Sequence, residues 1–89
     1  MIKKILIANR GEIACRIIKT AKKLKINTVS IYSDTDINAE HVLMSDESYY
    51  LGPSEALKSY LNISKIIEIC KKAKVDAVHP GYGLSLIHI

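Results

Sequence analysis

Residues 5–14 read ILIANRGEIA, and they pass from an apolar run through a polar turn into the start of a helical repeat. Residues 5–8 form a continuous apolar run, which is typical of a parallel strand covered on both faces. From Gly11 to Leu24, apolar residues recur every three or four positions, and this spacing predicts an amphipathic helix. A strand that passes through a tight polar turn into a helix is the first unit of an α/β domain. The predicted buried stripe of the helix consists of Ile13, Ala14, Ile17, Ile18, Ala21 and Leu24.

The rest of the chain continues this alternation. Residues 28–33 are β-branched and aromatic enough to form a second strand, a short helix capped by Asp36 follows, and residues 48–51 predict a third strand. A helix capped by Asn62 and a fourth strand over residues 75–78 complete the order β-α-β-α-β-α-β. Right-handed crossovers then predict one open parallel sheet in the spatial order 3-2-1-4. The predicted inner faces carry Ala39, Val42 and Leu43 on the short helix and Ile63, Ile66, Ile67 and Cys70 on the long one.

The composition is that of one globular domain, with 89 residues, 48% of them apolar and 25% charged. The net charge of +4 comes mainly from lysines at the ends of the two longer predicted helices, residues 22–25 and 71–74, where cations favour the helix dipole. We therefore predict no nucleic-acid partner, and no apolar run is long enough to predict a membrane span. Cys15 and Cys70 lack metal-ligand spacing, so no metal site is predicted. The first strand begins a few residues after Met1, which leaves no room for a targeting segment and predicts a cytoplasmic protein.

Ligands of open α/β sheets bind beyond the carboxyl ends of the strands, where the turn at residues 9–12 is expected. This turn, Asn9-Arg10-Gly11-Glu12, has one glycine where a dinucleotide-binding protein carries G-x-G-x-x-G. Glu12 also places an anion where a phosphate would lie. Asp34 could mimic the acidic residue that holds a ribose, but without the glycines this is weak evidence. We interpret Arg10 and Glu12 as pairing with each other or with a neighbouring domain.

The turn after the fourth strand reads His79-Pro80-Gly81-Tyr82-Gly83. Pro80 ends the strand, and Gly81 and Gly83 permit a close approach by another group. Two interpretations stay open at this point: Tyr82 and the Gly83 backbone form a pocket wall, or the turn docks on another domain. His79 is interpreted as structural, because the sequence offers no second metal ligand or catalytic partner at a suitable spacing.

Four stretches in matching order resemble the N-terminal domain of biotin carboxylases: IANRGEIA at residues 7–14, Asp46-Glu47, KSYLN at residues 58–62 and HPGYG at residues 79–83. The resemblance implies a Rossmann-like domain over residues 1–83 that precedes an ATP-grasp domain and a C-terminal domain. Such enzymes carboxylate carrier-bound biotin with ATP and bicarbonate, and the carboxyl group then passes to an acyl-CoA, pyruvate or urea. Residues 84–89, LSLIHI, depart from the family pattern and are interpreted as an aberrant or truncated tail.

The resemblance also implies partners and cofactors. ATP, Mg²⁺ or Mn²⁺ and the catalytic residues belong to the later domains, so no catalytic residue is assigned here. Tyr82 and Gly83 match a turn near the biotin end of the active site and are predicted to form part of the biotin pocket wall. The implied partners are the ATP-grasp domain, a biotin carboxyl carrier, a carboxyltransferase component and a second copy in a homodimer. In several members the dimer contact lies near the first helix, which carries Lys19 and Lys23 here.

Two other hypotheses are compatible with the residues. One is a free-standing Rossmann-like module that binds a nucleotide or an anion, and measurable ATP binding by the 89-residue chain would favour it. The other is an interaction module that assembles with a separately encoded ATP-grasp chain. The leading hypothesis remains an N-terminal part of a biotin carboxylase that is not active without the other domains.

Overall fold

The computed structural model describes residues 2–9, 11–52 and 60–79, with backbone only at residue 35 and residues 60–63. Its four strands form one parallel sheet in the order β3-β2-β1-β4, which confirms the predicted topology. The strands are β1 (Lys4–Ile7), β2 (Asn27–Ser33), β3 (Glu47–Gly52) and β4 (Ala77–His79). The helices are α1 (Gly11–Lys23), α2 (Glu40–Met44) and α3 (Tyr60–Ala73), with one 3-10 turn at Asp34–Asp36.

The sheet is covered on both faces, and β1 lies between β2 and β4. Successive residues of a strand point to opposite faces. Leu6 accordingly packs in one cluster with side chains from α3, and Ile7 packs in the other with side chains from α1. Both are fully buried, which confirms that β1 is a central strand covered on both faces. The α3 cluster comprises Leu6, Val29, Ile31, Leu51, Ile66, Ile69 and Ala73, and the buried α1 cluster comprises Ile7, Ala14 and Ile18.

Both long helices end in the same way. After α1, the Ile26 amide donates to the Ala21 carbonyl at 2.9 Å while Lys25 adopts a positive φ of 59°. After α3, the Val75 amide donates to the Cys70 carbonyl at 3.2 Å, and Lys74 has a φ of 57°. This is the Schellman arrangement, in which glycine is the usual residue with positive φ. Lys74 and Val75 are part of this arrangement at the end of α3, so β4 begins later in the chain than predicted.

The buried stripes of the helices are narrower than the sequence pattern predicts. Ile18 is fully buried on α1, whereas four residues that were predicted to face the core are more than a third exposed. A domain of this size buries only part of the surface that its unfolded chain exposes, so some apolar positions of an amphipathic helix stay exposed. On α3, Ile69 is buried although it was not predicted to be. The four exposed residues are Ile13, Leu24, Leu43 and Ile67.

Two predicted caps are also wrong. Asp36 belongs to the 3-10 turn, and the residue that precedes α2 is Ala39, three positions later. The helix α3 begins at Tyr60, so Asn62 lies inside the helix. For α2, the preceding residue Ala39 has no side-chain oxygen that could cap the helix, which shows that packing against the sheet can override a weak capping signal.

Side-chain bonds hold the amino-terminal edge of the sheet. Asp76 Oδ2 accepts hydrogen bonds from the backbone amides of Lys3 at 2.9 Å and Lys4 at 3.0 Å, and these bonds lower the pKa of Asp76. Lys4 Nζ lies 2.7 Å from Glu47 Oε2, which ties β1 to β3 across β2. The hydrogen bond to Lys4 is the largest cause that lowers the pKa of Glu47. These contacts fix the amino-terminal ends of β1, β3 and β4 relative to one another, at the edge of the sheet opposite the carboxyl ends.

Candidate functional site

The carboxyl ends of β1 and β4 bring together Asn9 and His79, the first residues of the two turns that the sequence singled out. In the register of these strands Ile7 lies opposite His79, and the Ala8 amide donates to the His79 carbonyl at 3.0 Å. Paired residues of neighbouring strands share a face, and residues two apart on one strand share it too. Asn9 and His79 are therefore directed to the same side of the sheet as Ile7.

A side-chain hydrogen bond joins the two turns. Asn9 Oδ1 lies 2.8 Å from His79 Nδ1, although the two residues are 70 positions apart in sequence. With the amide oxygen facing the ring, the Nδ1–H group of His79 is the donor. Asn9 is half-buried, and His79 is exposed. His79 thus has a polar partner from the other turn.

The amino end of α1 fits a tight turn better than a phosphate site. Gly11 has a φ of +63°, a left-handed conformation that glycine adopts without strain, so this glycine serves the turn itself. Glu12 lies in the first turn, where its charge is favourable to the helix dipole and would repel a phosphate. Its described partner is Arg16, one helical turn away at 3.0 Å. Arg10, the partner considered from the sequence, lies outside the described residues.

The acidic residue after β2 also has a partner. The Tyr50 hydroxyl donates a hydrogen bond to Asp34 Oδ1, and this bond is the main reason why the pKa of Tyr50 is raised. The Tyr32 and Tyr50 rings have their centroids 5.7 Å apart. A carboxylate that is engaged by a tyrosine of the same domain is less available to a ribose. Together with the single glycine of the first turn, this argues against a dinucleotide site.

The remaining predicted site residues lie outside the described residues: Arg10, Pro80, Gly81, Tyr82 and Gly83. The structure thus brings together Asn9 and His79 and leaves the wall predicted from Tyr82 and Gly83 as a prediction. The Tyr50–Asp34 bond was missed by sequence reasoning. Its signal was the predicted strand order, because β3 next to β2 places the ends of these strands side by side.

Among the described residues, the other reactive side chains do not add a site. His41 is buried on α2. Its backbone carbonyl accepts a hydrogen bond from Ser30 Oγ, 3.3 Å away. Burial raises the pKa of both Cys15 and Cys70, which makes these thiols less reactive. Within residues 2–9, 11–52 and 60–79, no three potential metal ligands lie together. No helix in the same part of the chain has the length and apolar character to cross a membrane.

A groove lies between α1 and α2. Its volume is about 570 Å³, and side chains of both charge signs line it. Because Glu12, Arg16, Lys19 and Glu40 all contribute, the groove has no single sign of charge that would favour a small anion or cation. The lining consists of Gly11, Glu12, Cys15, Arg16, Lys19, Asp36, Ala39, Glu40 and His41.

The sequence of this chain matches a known protein family and several of its members. Residues 1–85 match the family model described as the biotin carboxylase N-terminal domain. The propionyl-CoA carboxylase alpha chain of Mus musculus is 60% identical over 80 residues, which are 90% of this chain and 11% of the relative. Biotin carboxylase of Halalkalibacterium halodurans is 55% identical over 84 residues, or 94% of this chain and 19% of the relative.

Solved structures agree with the sequence relatives. The biotin carboxylase domain dimer of Hydrogenobacter thermophilus 2-oxoglutarate carboxylase, solved with MgADP, ADP and bicarbonate, is 48% identical with a TM-score of 0.80, covering 93% of this chain and 18% of that one. Kluyveromyces lactis urea carboxylase is 47% identical with a TM-score of 0.83, and the match covers 91% of this chain and 7% of that one. The chain spans less than a fifth of the length of the relatives described here. With the family match over residues 1–85 and the joined turns at the carboxyl edge, the chain belongs to the biotin carboxylase N-terminal domain family.

Proposed function

We propose that this domain is the N-terminal part of an ATP-dependent biotin carboxylase, a ligase that carboxylates carrier-bound biotin with bicarbonate. The observation that carries the proposal is the joining of the two family turns by the 2.8 Å contact between Asn9 and His79. In this role the domain supports the active site. Its parallel sheet ends with Asn9 and His79 at the carboxyl edge, the end at which ligands of open α/β sheets bind.

ATP and its metal ion would be held by the ATP-grasp domain of the same enzyme. Glu12 and the single glycine at the start of α1 do not suit a nucleotide phosphate, so no nucleotide contact is assigned to the described residues. The Hydrogenobacter relative was solved with MgADP and bicarbonate, which supports the same ligands here, and Mn²⁺ is proposed as a substitute for Mg²⁺. ATP supplies the free energy for joining bicarbonate to a biotin nitrogen.

A steady-state assay of the full-length protein that contains these residues tests this activity. We expect ADP release from ATP to require both bicarbonate and biotin, and to be lost without Mg²⁺ or Mn²⁺. A folded full-length protein that hydrolyses ATP at the same rate with and without biotin would contradict the proposal. Reading the coding sequence downstream of codon 83 is a cheaper first test, because a glycine-rich ATP-grasp loop must follow in some reading frame.

We retain Tyr82 and the Gly83 backbone as the proposed biotin pocket wall of this domain. In the sequence they are three and four positions after His79, the last residue of β4. In the full-length protein, Tyr82→Ala is expected to raise the KM for free biotin, whereas Tyr82→Phe keeps the aromatic ring and should resemble the wild type. If Tyr82→Ala leaves both biotin affinity and turnover unchanged, the pocket-wall proposal is wrong.

The partners follow from the same proposal. A biotin carboxyl carrier domain or protein would present the biotin, and a carboxyltransferase component would pass the carboxyl group to an acyl-CoA, pyruvate or urea. The relatives include carboxylases with different final acceptors, so the acceptor is a property of the remaining domains. We propose a cytoplasmic location. The murine propionyl-CoA carboxylase relative is mitochondrial, so cell fractionation is the test that distinguishes the two locations.

A homodimer through the outer side of α1 is also proposed. The Hydrogenobacter relative is a biotin carboxylase domain dimer. On this chain the α1–α2 groove carries both charge signs, which suits a surface that meets a second copy of itself. The proposal predicts that Lys19→Glu weakens the dimer of the full-length protein in sedimentation experiments, while Lys71→Glu on α3 does not. Equal dimer affinity in the two variants would contradict it.

The alternative of a free-standing nucleotide-binding module has less support. Asp34 is engaged by Tyr50, and the start of α1 carries an anion. Isothermal titration of the 89-residue chain with ATP separates the two functions, because a support domain should give no heat of binding.

A further inference from the structure

Lysines collect at the amino-terminal edge of the sheet. Lys3 lies between the starts of β2 and β4, because its carbonyl accepts from the Asn27 amide at 2.9 Å and its own amide donates to Asp76 Oδ2 at 2.9 Å. Crossover helices return the chain from the carboxyl ends of parallel strands, so α1 and α3 both end at this edge. The exposed lysines there, which we call the basic edge, are Lys3, Lys22, Lys23, Lys25, Lys71, Lys72 and Lys74.

The acidic residues near the basic edge are engaged elsewhere. Asp46 and Asp76 each accept hydrogen bonds from backbone amides at the start of a neighbouring strand. Glu47 pairs with Lys4 at 2.7 Å, and Lys4 is not part of the basic edge. Within residues 2–9, 11–52 and 60–79, no ion pair joins a carboxylate to a lysine of the basic edge. This end of the domain therefore keeps an excess of positive charge.

Helix stability does not account for the whole set. The last turns of α1 and α3 hold four of the seven lysines, where a cation favours the helix dipole. Lys25 and Lys74 lie beyond the helices and adopt φ angles of 59° and 57°, at the position where glycine is the usual residue. The chain thus carries a charged side chain at two equivalent positions where the backbone favours glycine. Such an unfavourable conformation suggests a role for the side chain outside the fold.

Two large apolar side chains are exposed among these lysines. Leu24, between Lys23 and Lys25, is 66% exposed, and Ile2, next to Lys3, is 46% exposed. Apolar contacts within a polar rim are the anatomy of a protein–protein interface. Nucleic-acid surfaces favour arginine and stacking aromatic rings, and interfacial membrane binding favours a broad apolar face with tryptophan or phenylalanine. Residues 2–4, 22–26 and 71–75 contain no arginine and no aromatic residue.

We propose that the basic edge, with Leu24 and Ile2 exposed within it, is an interaction surface for an acidic protein that presents apolar side chains among its carboxylates. The lysines would attract this partner over a screening length of about 8 Å at physiological ionic strength and so raise the association rate. The apolar side chains would be buried on contact. Because the basic edge lies opposite the carboxyl ends of the strands, this inference does not rest on the proposed function.

Fluorescence anisotropy with the full-length protein that contains these residues tests the surface. The probe is a labelled peptide of about 20 residues that repeats Glu-Glu-Leu-Leu, and a second peptide carries serine in place of leucine. We expect the first peptide to bind with a Kd that rises at least tenfold between about 50 and 200 mM NaCl. The serine peptide should bind roughly tenfold more weakly, and Leu24→Ser should reduce this difference. Absent or salt-independent binding of the first peptide would overturn the proposal.

A matched pair on α3 tests whether the position of the charge matters. Lys72→Glu and Lys65→Glu make the same change of charge, but Lys65 lies seven residues, or about 10 Å, further from the basic edge along the helix. At about 150 mM NaCl, Lys72→Glu should raise the Kd for the leucine peptide by roughly fivefold, and Lys65→Glu by less than roughly twofold. Equal losses would mean that only the net charge counts, and the proposed surface would be wrong.

The double variant Lys25→Gly/Lys74→Gly separates binding from folding. Glycine fits the positive φ at both positions, so the melting temperature should equal or exceed that of the wild type. The Kd for the leucine peptide should nevertheless rise by roughly fivefold, which a purely structural role of these lysines does not predict. An unchanged Kd would overturn the proposal. So would tighter binding of duplex DNA, or of phosphatidylserine vesicles, than of the leucine peptide in the same buffer.

Discussion

Replacing Ile18 by valine tests which side of α1 faces the sheet. Ile18 is fully buried against Ile7 and Ala14, whereas Ile13 on the same helix is 44% exposed. Removing one buried methylene forfeits about 0.8 kcal/mol of transfer free energy, and the small cavity left behind brings the expected loss for Ile18→Val to about 1 kcal/mol. At Ile13, water can occupy the space, so Ile13→Val should lower the stability by less than about 0.5 kcal/mol.

Urea unfolding of the 89-residue chain, followed by far-UV circular dichroism, measures both changes from the shift of the midpoint at constant slope. In thermal unfolding, Ile18→Val should lower the melting temperature by about 4–8 °C. The two variants remove the same atoms from the same helix, so helix propensity largely cancels in the comparison. Equal destabilisation by the two variants would refute the orientation of α1, and with it the conclusion that Ile13 lies outside the core.

Three further predictions concern the backbone and the pH dependence. Gly11→Ala should destabilise the 89-residue chain by about 1–2 kcal/mol in urea unfolding, because φ at this position is +63°. The added Cβ meets no neighbour within 4 Å, so backbone strain is the expected cause and Gly11→Asn should be less harmful. Equal losses in the two variants would exclude backbone strain. Lys25→Gly should stabilise the same chain by up to about 1 kcal/mol, because the lysine has a φ of 59°, and a measured loss of stability would contradict this. Asp76 has a folded-state pKa below its ordinary value of 3.8, so its contribution to stability is present above pH 3.8 and is lost as the pH falls through the folded-state pKa. Asp76→Asn should therefore flatten the acid limb of the melting-temperature profile, and an unchanged acid limb would contradict the assignment.

The order of elements and the sheet topology were predictable because they depend on strong, local patterns. The apolar run at residues 5–8 and the helical repeat that follows leave few arrangements for the first unit, and the handedness of crossovers then restricts the strand order. The caps at Asp36 and Asn62 were not predictable in the same way. A cap contributes only about 1 kcal/mol, which tertiary packing at the helix start can exceed.

The candidate site was predictable in its parts but not in its connection. Asn9 and His79 each belonged to a turn that the sequence singled out, and the strand order placed both at one edge of the sheet. No local pattern specifies that their side chains meet, because the contact spans 70 positions and depends on the register in which Ile7 pairs with His79. The bond between Tyr50 and Asp34 has the same origin, since it depends on how β3 lies against β2.

Sequence alone was enough to predict the family, the parallel α/β fold and the two turns after β1 and β4, because motifs and hydrophobic periodicity depend on neighbouring residues. Which apolar residues are buried and which polar side chains meet depends on the tertiary structure. Ile13 and Ile18 are equivalent in the helical pattern, and the sheet covers only one of them. Likewise, Asn9 and His79 become partners only when β1 and β4 lie side by side, since long-range contacts are set by packing and register rather than by local propensity.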